Sequence, residues 1–163
     1  MSEIGLKFSC LEDSYSGELD PNDVILFYYD IGVDCEMKTY PYIWDDEMEE
    51  FIQKNKLVIE VCQNGLLPQS VSVNEIYFTE CFDKENNIKE DKAMAFLRHL
   101  RNAFAHYRIG ASGNYYCLKD EYNKRITMIG KIDKRLFQGL IEIYFKQKAK
   151  AEEKYRDYLY PNL

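Results

Sequence analysis

The sequence lacks most of the motifs by which an active site is usually recognised. It contains no glycine-rich phosphate loop, no cluster of metal ligands and no nucleophile elbow. No metal or other cofactor is therefore expected. Histidine is also scarce: the chain has only 2, His99 and His106, and both fall within residues 98–108. If the protein performs chemistry, we expect it in this stretch.

Cysteine usage and hydrophobic runs exclude several classes of protein. The 5 cysteines are odd in number and widely spaced, and none forms a Cys-x-x-Cys pair. This predicts reduced thiols in a cytosol rather than a disulfide framework or a zinc site. The N-terminus has no basic-then-apolar signal pattern, and the longest apolar run, residues 24–29, is far too short to cross a bilayer. We therefore expect a soluble cytoplasmic protein with no membrane contact.

The length of 163 residues and the hydrophobic content of 46% predict one domain with a substantial core. No internal repeat or low-complexity linker divides the chain. Residues 1–163 are therefore treated as a single domain. Whether residues 1–43 belong to the helical core, form a hairpin or are an extension stays open at this point.

The net charge of −7 hides an asymmetry along the chain. Residues 1–91 contain 21 acidic and 6 basic residues, a net charge of −15, whereas residues 92–163 contain 7 acidic and 15 basic residues, a net charge of +8. The two halves could simply pack against each other. Alternatively, the basic half presents a face to a polyanion, and the acidic half limits indiscriminate binding.

Capping residues and hydrophobic spacing predict four helices. The first has Asp20 as its N-cap and Pro21 in its first turn, and it runs to about Cys35. Residues 24–29 would serve equally well as a buried strand. The second helix is predicted from about Trp44, because apolar residues keep a roughly helical spacing from there until a glycine at position 65.

Residues 66–88 look irregular, with a short strand at 71–78 as one option. The third helix, about residues 90–107, is the clearest, because apolar residues recur at three- and four-residue steps. Its predicted core-facing residues are Ala93, Phe96, Leu97, Leu100, Ala103, Phe104 and Tyr107.

A glycine-containing break follows the third helix, and residues 115–118 and 125–129 then read as a small β-hairpin. The last helix, about residues 132–158, is expected to bury Leu136, Phe137, Leu140, Ile141 and Tyr144. The predicted fold is therefore mainly α, a four-helix bundle with a small β-hairpin inserted between the third helix and the last one.

The third helix carries the most informative pattern, Arg101-Asn102-x-x-x-His106, which we call the motif. At about 100° per residue, the apolar residues of this helix occupy one arc of about 120°, and the motif lies outside it. Asn102 and His106 are one turn apart and can touch. Arg101 sits about 140° around the helix from His106, so the two converge only if the arginine curls over, the helix unwinds, or a second copy supplies the missing group.

Two small residues on this polar face, Ala95 and Ala105, permit the close approach of another helix. Two-fold homodimers are also the commonest assembly. We therefore expect the motif face to pack against a symmetry mate, with two motifs facing one cleft.

The string Phe96-Leu97-Arg98-His99-Leu100-Arg101-Asn102-Ala103-Phe104-Ala105-His106 resembles the motif of the HEPN superfamily, in its plasmid and bacterial branch. The resemblance implies a helical bundle and a metal-independent endoribonuclease that acts as a homodimer, often a toxin with an antitoxin partner or an antiviral effector. Toxins of this superfamily that are silenced by tyrosine nucleotidylation carry the tyrosine two residues after the histidine. Here Tyr107 follows His106 directly and Arg108 takes that place, so this regulation is not expected.

The resemblance assigns roles that suit the residues. RNA supplies the 2′-hydroxyl as nucleophile, so the protein needs only proton transfer and charge stabilisation. His106 would be the general acid or base, Arg101 the clamp on the phosphate, and Asn102 the residue that orients one of them. Contacts to RNA are predicted for Arg98, His99 and Arg108.

Two other interpretations remain open. A histidine at a helix end is often a capping residue, so the protein could be a catalytically silent module that binds RNA, nucleotide or a protein partner. It could also be a helical homo-oligomer with no role in nucleic-acid chemistry.

Overall fold

The computed structural model of the protein describes residues 19–25, 27, 31–32, 34, 42–80, 82–83, 88–159 and 161–162. Its helices are α1 (Pro21–Ile25), α2 (Asp46–Lys54), α3 (Lys92–Ala105) and α4 (Lys134–Leu159), with a short 3₁₀ turn at Gln63–Gly65. Its strands are β1 (Val58–Val61), β2 (Glu75–Phe78), β3 (Phe82–Asp83), β4 (Ile88–Lys89), β5 (Ile109–Ser112), β6 (Tyr115–Tyr122) and β7 (Arg125–Asp133).

Five of the strands form one mixed sheet in the order β1-β2-β7-β6-β5. The edge pair β1 and β2 is parallel, and the other neighbours are antiparallel. Strands β3 and β4 form a separate two-stranded ribbon. The long hairpin of β6 and β7 turns at Asn123 and Lys124, both of which have positive φ, as a two-residue hairpin loop requires.

This architecture contradicts the predicted mainly-α four-helix bundle. The predicted hairpin exists, but it is the centre of a five-stranded α/β sheet rather than a small insertion. Alternate residues of β6 and β7, such as Leu118 and Met128, are buried on one face of the sheet, and α3 packs against β6. The hairpin therefore needs both neighbouring strands along its edges and helices over its face, which a two-stranded insertion would lack.

The second predicted helix, residues 44–65, is wrong beyond Lys54. Helix α2 begins after Asp45, whose side chain accepts a hydrogen bond from the Met48 N–H, and it ends at Lys54. Lys56 has φ of 54°, which breaks the helix, and the β-branched residues that follow form β1 in register with β2. The apolar stripe continued through this break because buried strand residues happen to keep a compatible spacing.

The first predicted helix begins where expected. The Asp20 carboxylate accepts a hydrogen bond from the Asn22 N–H at 2.8 Å, as an N-cap does. Its predicted extension to about residue 35, the alternative strand at 24–29 and the open question about residues 1–43 lie largely outside the described residues. Helix α1 is fixed to the sheet by the Tyr116 hydroxyl, which donates to the buried Asp23 carboxylate.

The third predicted helix is confirmed as α3, with Asp91 as its N-cap. Six of the seven predicted core residues are buried; Tyr107 lies beyond the end of the helix and is exposed. The last predicted helix is confirmed as α4, and the short strand predicted near 71–78 corresponds to β2. No helix in the described part of the chain has both the length and the apolar character needed to cross a membrane.

Candidate functional site

The motif lies at the C-terminal end of α3. His106 is the C-cap residue: its backbone N–H donates to the carbonyl oxygen of Asn102, and its side chain is exposed. The next residue, Tyr107, has φ of 56°, so the chain turns sharply away from the helix axis. His106 is therefore exposed to solvent at the end of the helix.

The side chain of Arg101 contacts the next residue of the motif. Its Nη1 donates to Asn102 Oδ1 at 2.9 Å, and Asn102 lies one turn before His106. The arginine and the asparagine of the motif are therefore in direct contact within one chain.

The carboxylate of Asp120 links the motif helix to the sheet. A register shift occurs in the pairing of β6 and β7 between Asp120 and Glu121. Such β-bulges redirect side chains and are common beside functional sites. The side chain of Asp120 is 2% exposed. The carboxylate is therefore buried between the sheet and α3 and needs hydrogen-bond donors to remain ionised.

Four donors meet the Asp120 carboxylate, and we call this set the Asp120 network. Its Oδ2 accepts from His99 Nδ1 at 2.8 Å and from Asn102 Nδ2 at 3.4 Å. Its Oδ1 accepts from the backbone N–H of Glu121 at 2.9 Å and from Arg108 Nη1 at 3.5 Å. Burial by itself would raise the pKa of Asp120, but the hydrogen bonds from His99, Asn102 and a backbone N–H lower the pKa below its usual value.

His99, which was predicted to contact RNA, is buried. Its residue exposure is 0%. In addition to the bond from Nδ1 to Asp120, its Nε2 lies 2.7 Å from the carbonyl oxygen of Thr79 at the end of β2, and its ring packs beside Phe78. An imidazole enclosed in this way cannot contact RNA without rearrangement. Its partners instead make it a link between α3, β2 and β6.

The two arginines that flank the motif are also engaged. Arg98 forms a two-pronged ion pair with Glu90, with distances of 2.7 and 3.0 Å, and its Nη2 lies 3.2 Å from His99 Nε2. Arg108 reaches the carbonyl oxygen of Glu121 at 3.3 Å as well as Asp120. Both side chains remain partly exposed. They keep donors near the surface while their positions are fixed by acidic partners.

The two alanines that were predicted to pack against a second copy do not form an exposed face. Ala95 is completely buried within the chain, and Ala105 is only partly exposed. Small size at position 95 therefore serves the packing of α3 inside the domain. The homodimer stays a prediction, without a defined surface.

One end of the sheet borders an open cleft of about 980 Å³. Strands β1 and β2 finish here, β7 starts here, and the turn of the β6–β7 hairpin projects beside it. The cleft is lined by Thr79, Arg125 and Ile126 among others. Thr79 connects it to the Asp120 network, because the carbonyl oxygen of Thr79 contacts His99.

Sequence reasoning missed Asp120 and Thr79. Neither belongs to a motif, and Asp120 lies in the hairpin, whose pairing with the rest of the sheet was not predicted. In the described ranges, no group of three or more histidine, cysteine, aspartate or glutamate side chains is arranged to hold a metal ion. No match to this chain was found among protein-family models, curated proteins or solved structures.

Proposed function

We propose that this protein is a metal-independent endoribonuclease whose active site is built on Arg101, Asn102 and His106. The observation that carries the proposal is the contact of Arg101 with Asn102, one turn before a histidine, His106, that is exposed. An arginine fork suits phosphate oxygens, and a histidine suits proton transfer near neutral pH. The net charge of +8 over residues 92–163 also favours a polyanionic substrate.

The chemistry needs no nucleophile from the protein. The 2′-hydroxyl oxygen of the RNA attacks the adjacent phosphorus, the bond from phosphorus to the 5′-oxygen breaks, and a 2′,3′-cyclic phosphate forms. One proton leaves the 2′-hydroxyl, and one is delivered to the departing 5′-oxygen. Arg101 would stabilise the added negative charge on the phosphate, and Asn102 would hold the guanidinium in place.

Two proton transfers per cleavage are the chemical reason to propose a homodimer. Each chain offers one exposed histidine, His106, because the other one is buried. Two copies facing one RNA would supply both a base and an acid. A nuclease of this kind must be restrained in its own cell, so we propose a cytoplasmic toxin or defence protein with an antitoxin as a further partner.

The test is the cleavage of structured and unstructured RNA in the presence of EDTA. The wild type is compared with His106→Ala and with Lys150→Ala, a change at an exposed site on α4 far along the chain from the motif. Loss of general acid–base catalysis is expected to slow cleavage by about 10²- to 10⁴-fold in the His106 variant, while the control keeps its activity. Equal cleavage by all three proteins would refute the assignment.

A second candidate function is supported by the same network. Asn102 and Arg108 both bind Asp120, and Arg98 binds Glu90, so these groups already have structural partners. A catalytically silent module that binds RNA would need no more than this fixed basic surface. Salt-dependent RNA binding by a folded protein that never cleaves would favour the second candidate.

A further inference from the structure

Tyr107 occupies a strained position beside the motif. Its φ is 56°, in the left-handed region that large side chains seldom adopt. The helical stripe predicted that this residue would be buried, yet its exposed fraction is 59%. This left-handed residue closes the C-terminus of α3, because the N–H groups of Tyr107 and Arg108 donate to the carbonyl oxygens of Phe104 and Ala103. The turn leaves the ring of Tyr107 exposed directly after His106.

A second exposed tyrosine lies on the neighbouring element. Tyr122 is the last residue of β6, and its exposed fraction is 72%. The two tyrosines flank one direct contact: Arg108 follows Tyr107, Glu121 precedes Tyr122, and the guanidinium of Arg108 donates to the carbonyl oxygen of Glu121. A backbone hydrogen bond from the Lys119 N–H to the Arg108 carbonyl holds these segments together.

Cations continue the surface beyond Tyr122. Lys124 and Arg125 form the turn and the start of β7, and both are exposed. Tyr122 pairs with Arg125 across the hairpin. Among the described residues, neither Lys124 nor Arg125 takes part in an ion pair, in contrast to Lys119, which contacts Glu121 at 2.9 Å. Their charge is therefore available to an anionic ligand.

We infer that Tyr107, Tyr122, Lys124 and Arg125 form a binding surface for unpaired RNA. This inference rests on the proposed function, for which it specifies single-stranded substrate. Two aromatic faces next to exposed cations are the combination that binds single strands, since the rings stack on bases and the cations neutralise phosphates. Tyr107 directly follows His106 in the chain, so a strand stacked on its ring would lie beside the motif.

The same features select against a duplex. Bases in a double helix are stacked on one another and cannot offer a face to a side chain, whereas the bases of loops and single strands can. Stacking requires the ring but not its hydroxyl group. Phenylalanine should therefore replace either tyrosine without loss, and alanine should not.

The test measures binding separately from cleavage. The probe is a fluorescent single-stranded oligonucleotide with 2′-fluoro sugars, which keeps bases and phosphates but lacks the attacking hydroxyl group. A duplex of the same sequence is the comparison. The full chain is assayed as wild type, Tyr107→Ala, Tyr122→Ala and the two phenylalanine variants. Tyr158→Ala is the matched control, because this tyrosine is 82% exposed near the end of α4 and lies outside the proposed surface.

Each alanine variant at the surface is expected to bind the single strand about 5- to 150-fold more weakly than the wild type. The phenylalanine variants and Tyr158→Ala should bind the single strand as tightly as the wild type does. The duplex should bind weakly to the wild type. Unchanged affinity in both alanine variants, equal loss in the phenylalanine variants, or equally tight duplex binding would each overturn the inference. Tyrosine-dependent binding with no cleavage of natural RNA would refute the nuclease and leave this binding surface standing.

Discussion

Replacement of Asp120 by asparagine tests whether the Asp120 network holds α3 to the sheet. The substitution keeps the shape of the side chain but removes its charge and turns one acceptor oxygen into a donor. Oδ2 accepts from His99 and Asn102, and Oδ1 accepts from a backbone N–H. Whichever way the new amide is oriented, its NH₂ group faces at least one N–H donor.

The magnitude follows from the burial of this pair. Asp120 is 2% exposed and His99 is 0% exposed, so solvent cannot replace the lost bond. A buried donor that loses its partner typically costs about 1–3 kcal/mol, and more where the lost partner is charged. We expect Asp120→Asn to lower the free energy of unfolding by about 3 kcal/mol, the upper part of this range, because the lost acceptor is a carboxylate that several donors share. That is a large part of a typical total stability of about 5–15 kcal/mol.

Urea denaturation followed by tryptophan fluorescence is a suitable assay, because Trp44 is the single tryptophan and packs edge-on against Phe96 of α3. Glu121→Gln is the matched control. Glu121 lies next in the chain and pairs with Lys119 at 2.9 Å, but this pair is partly exposed, so we expect a loss below about 1 kcal/mol. A loss for Asp120→Asn no larger than the control would refute the structural role of the network.

The pH dependence provides an independent check. The pKa of Asp120 is lower in the folded state than the reference value of about 3.9. Its contribution to stability is therefore complete above that reference value and is lost as the pH falls through the lower folded pKa. The stability difference between the wild type and Asp120→Asn should narrow in this acidic range, and a constant difference would contradict the pKa direction.

Two further predictions concern the interior of the domain. Tyr116→Phe removes the hydroxyl group that donates to the buried Asp23 carboxylate, to which Gln138 also donates. We expect this change to lower the free energy of unfolding, measured by urea denaturation, by about 1–3 kcal/mol. Gly130→Ala would place a Cβ atom 2.7 Å from Ile76 Cγ1 in the adjacent strand β2, so we expect a loss of about 1–3 kcal/mol, and an unchanged melting temperature would contradict this packing.

Elements with strong local signals were predictable from sequence. Helices α3 and α4 combine an apolar stripe with a capping residue or a long regular period, and the β6–β7 hairpin has alternating residues around a polar turn. These features depend only on residues close together in the chain.

Features that depend on distant residues were not predictable. Strand β1 pairs in parallel with β2, and β2 pairs antiparallel with β7. These pairings are non-local, and nothing in the sequence of one strand identifies the strand with which it pairs. His99 lies outside the apolar arc of its helix and yet is buried, because its imidazole forms a hydrogen bond with the Asp120 carboxylate of β6. Periodicity reports the burial of apolar residues, and it says nothing of polar pairs that satisfy each other inside the core.

The measurement that addresses the proposed function most directly is the chemistry of the RNA ends after incubation with the protein in EDTA. We predict that the wild type forms fragments with 2′,3′-cyclic phosphate and 5′-hydroxyl ends. His106→Ala should form none, although its unfolding curve should match that of the wild type. Fragments that form equally with both proteins, or that carry 5′-phosphate ends, would contradict an active site built on His106 and the 2′-hydroxyl.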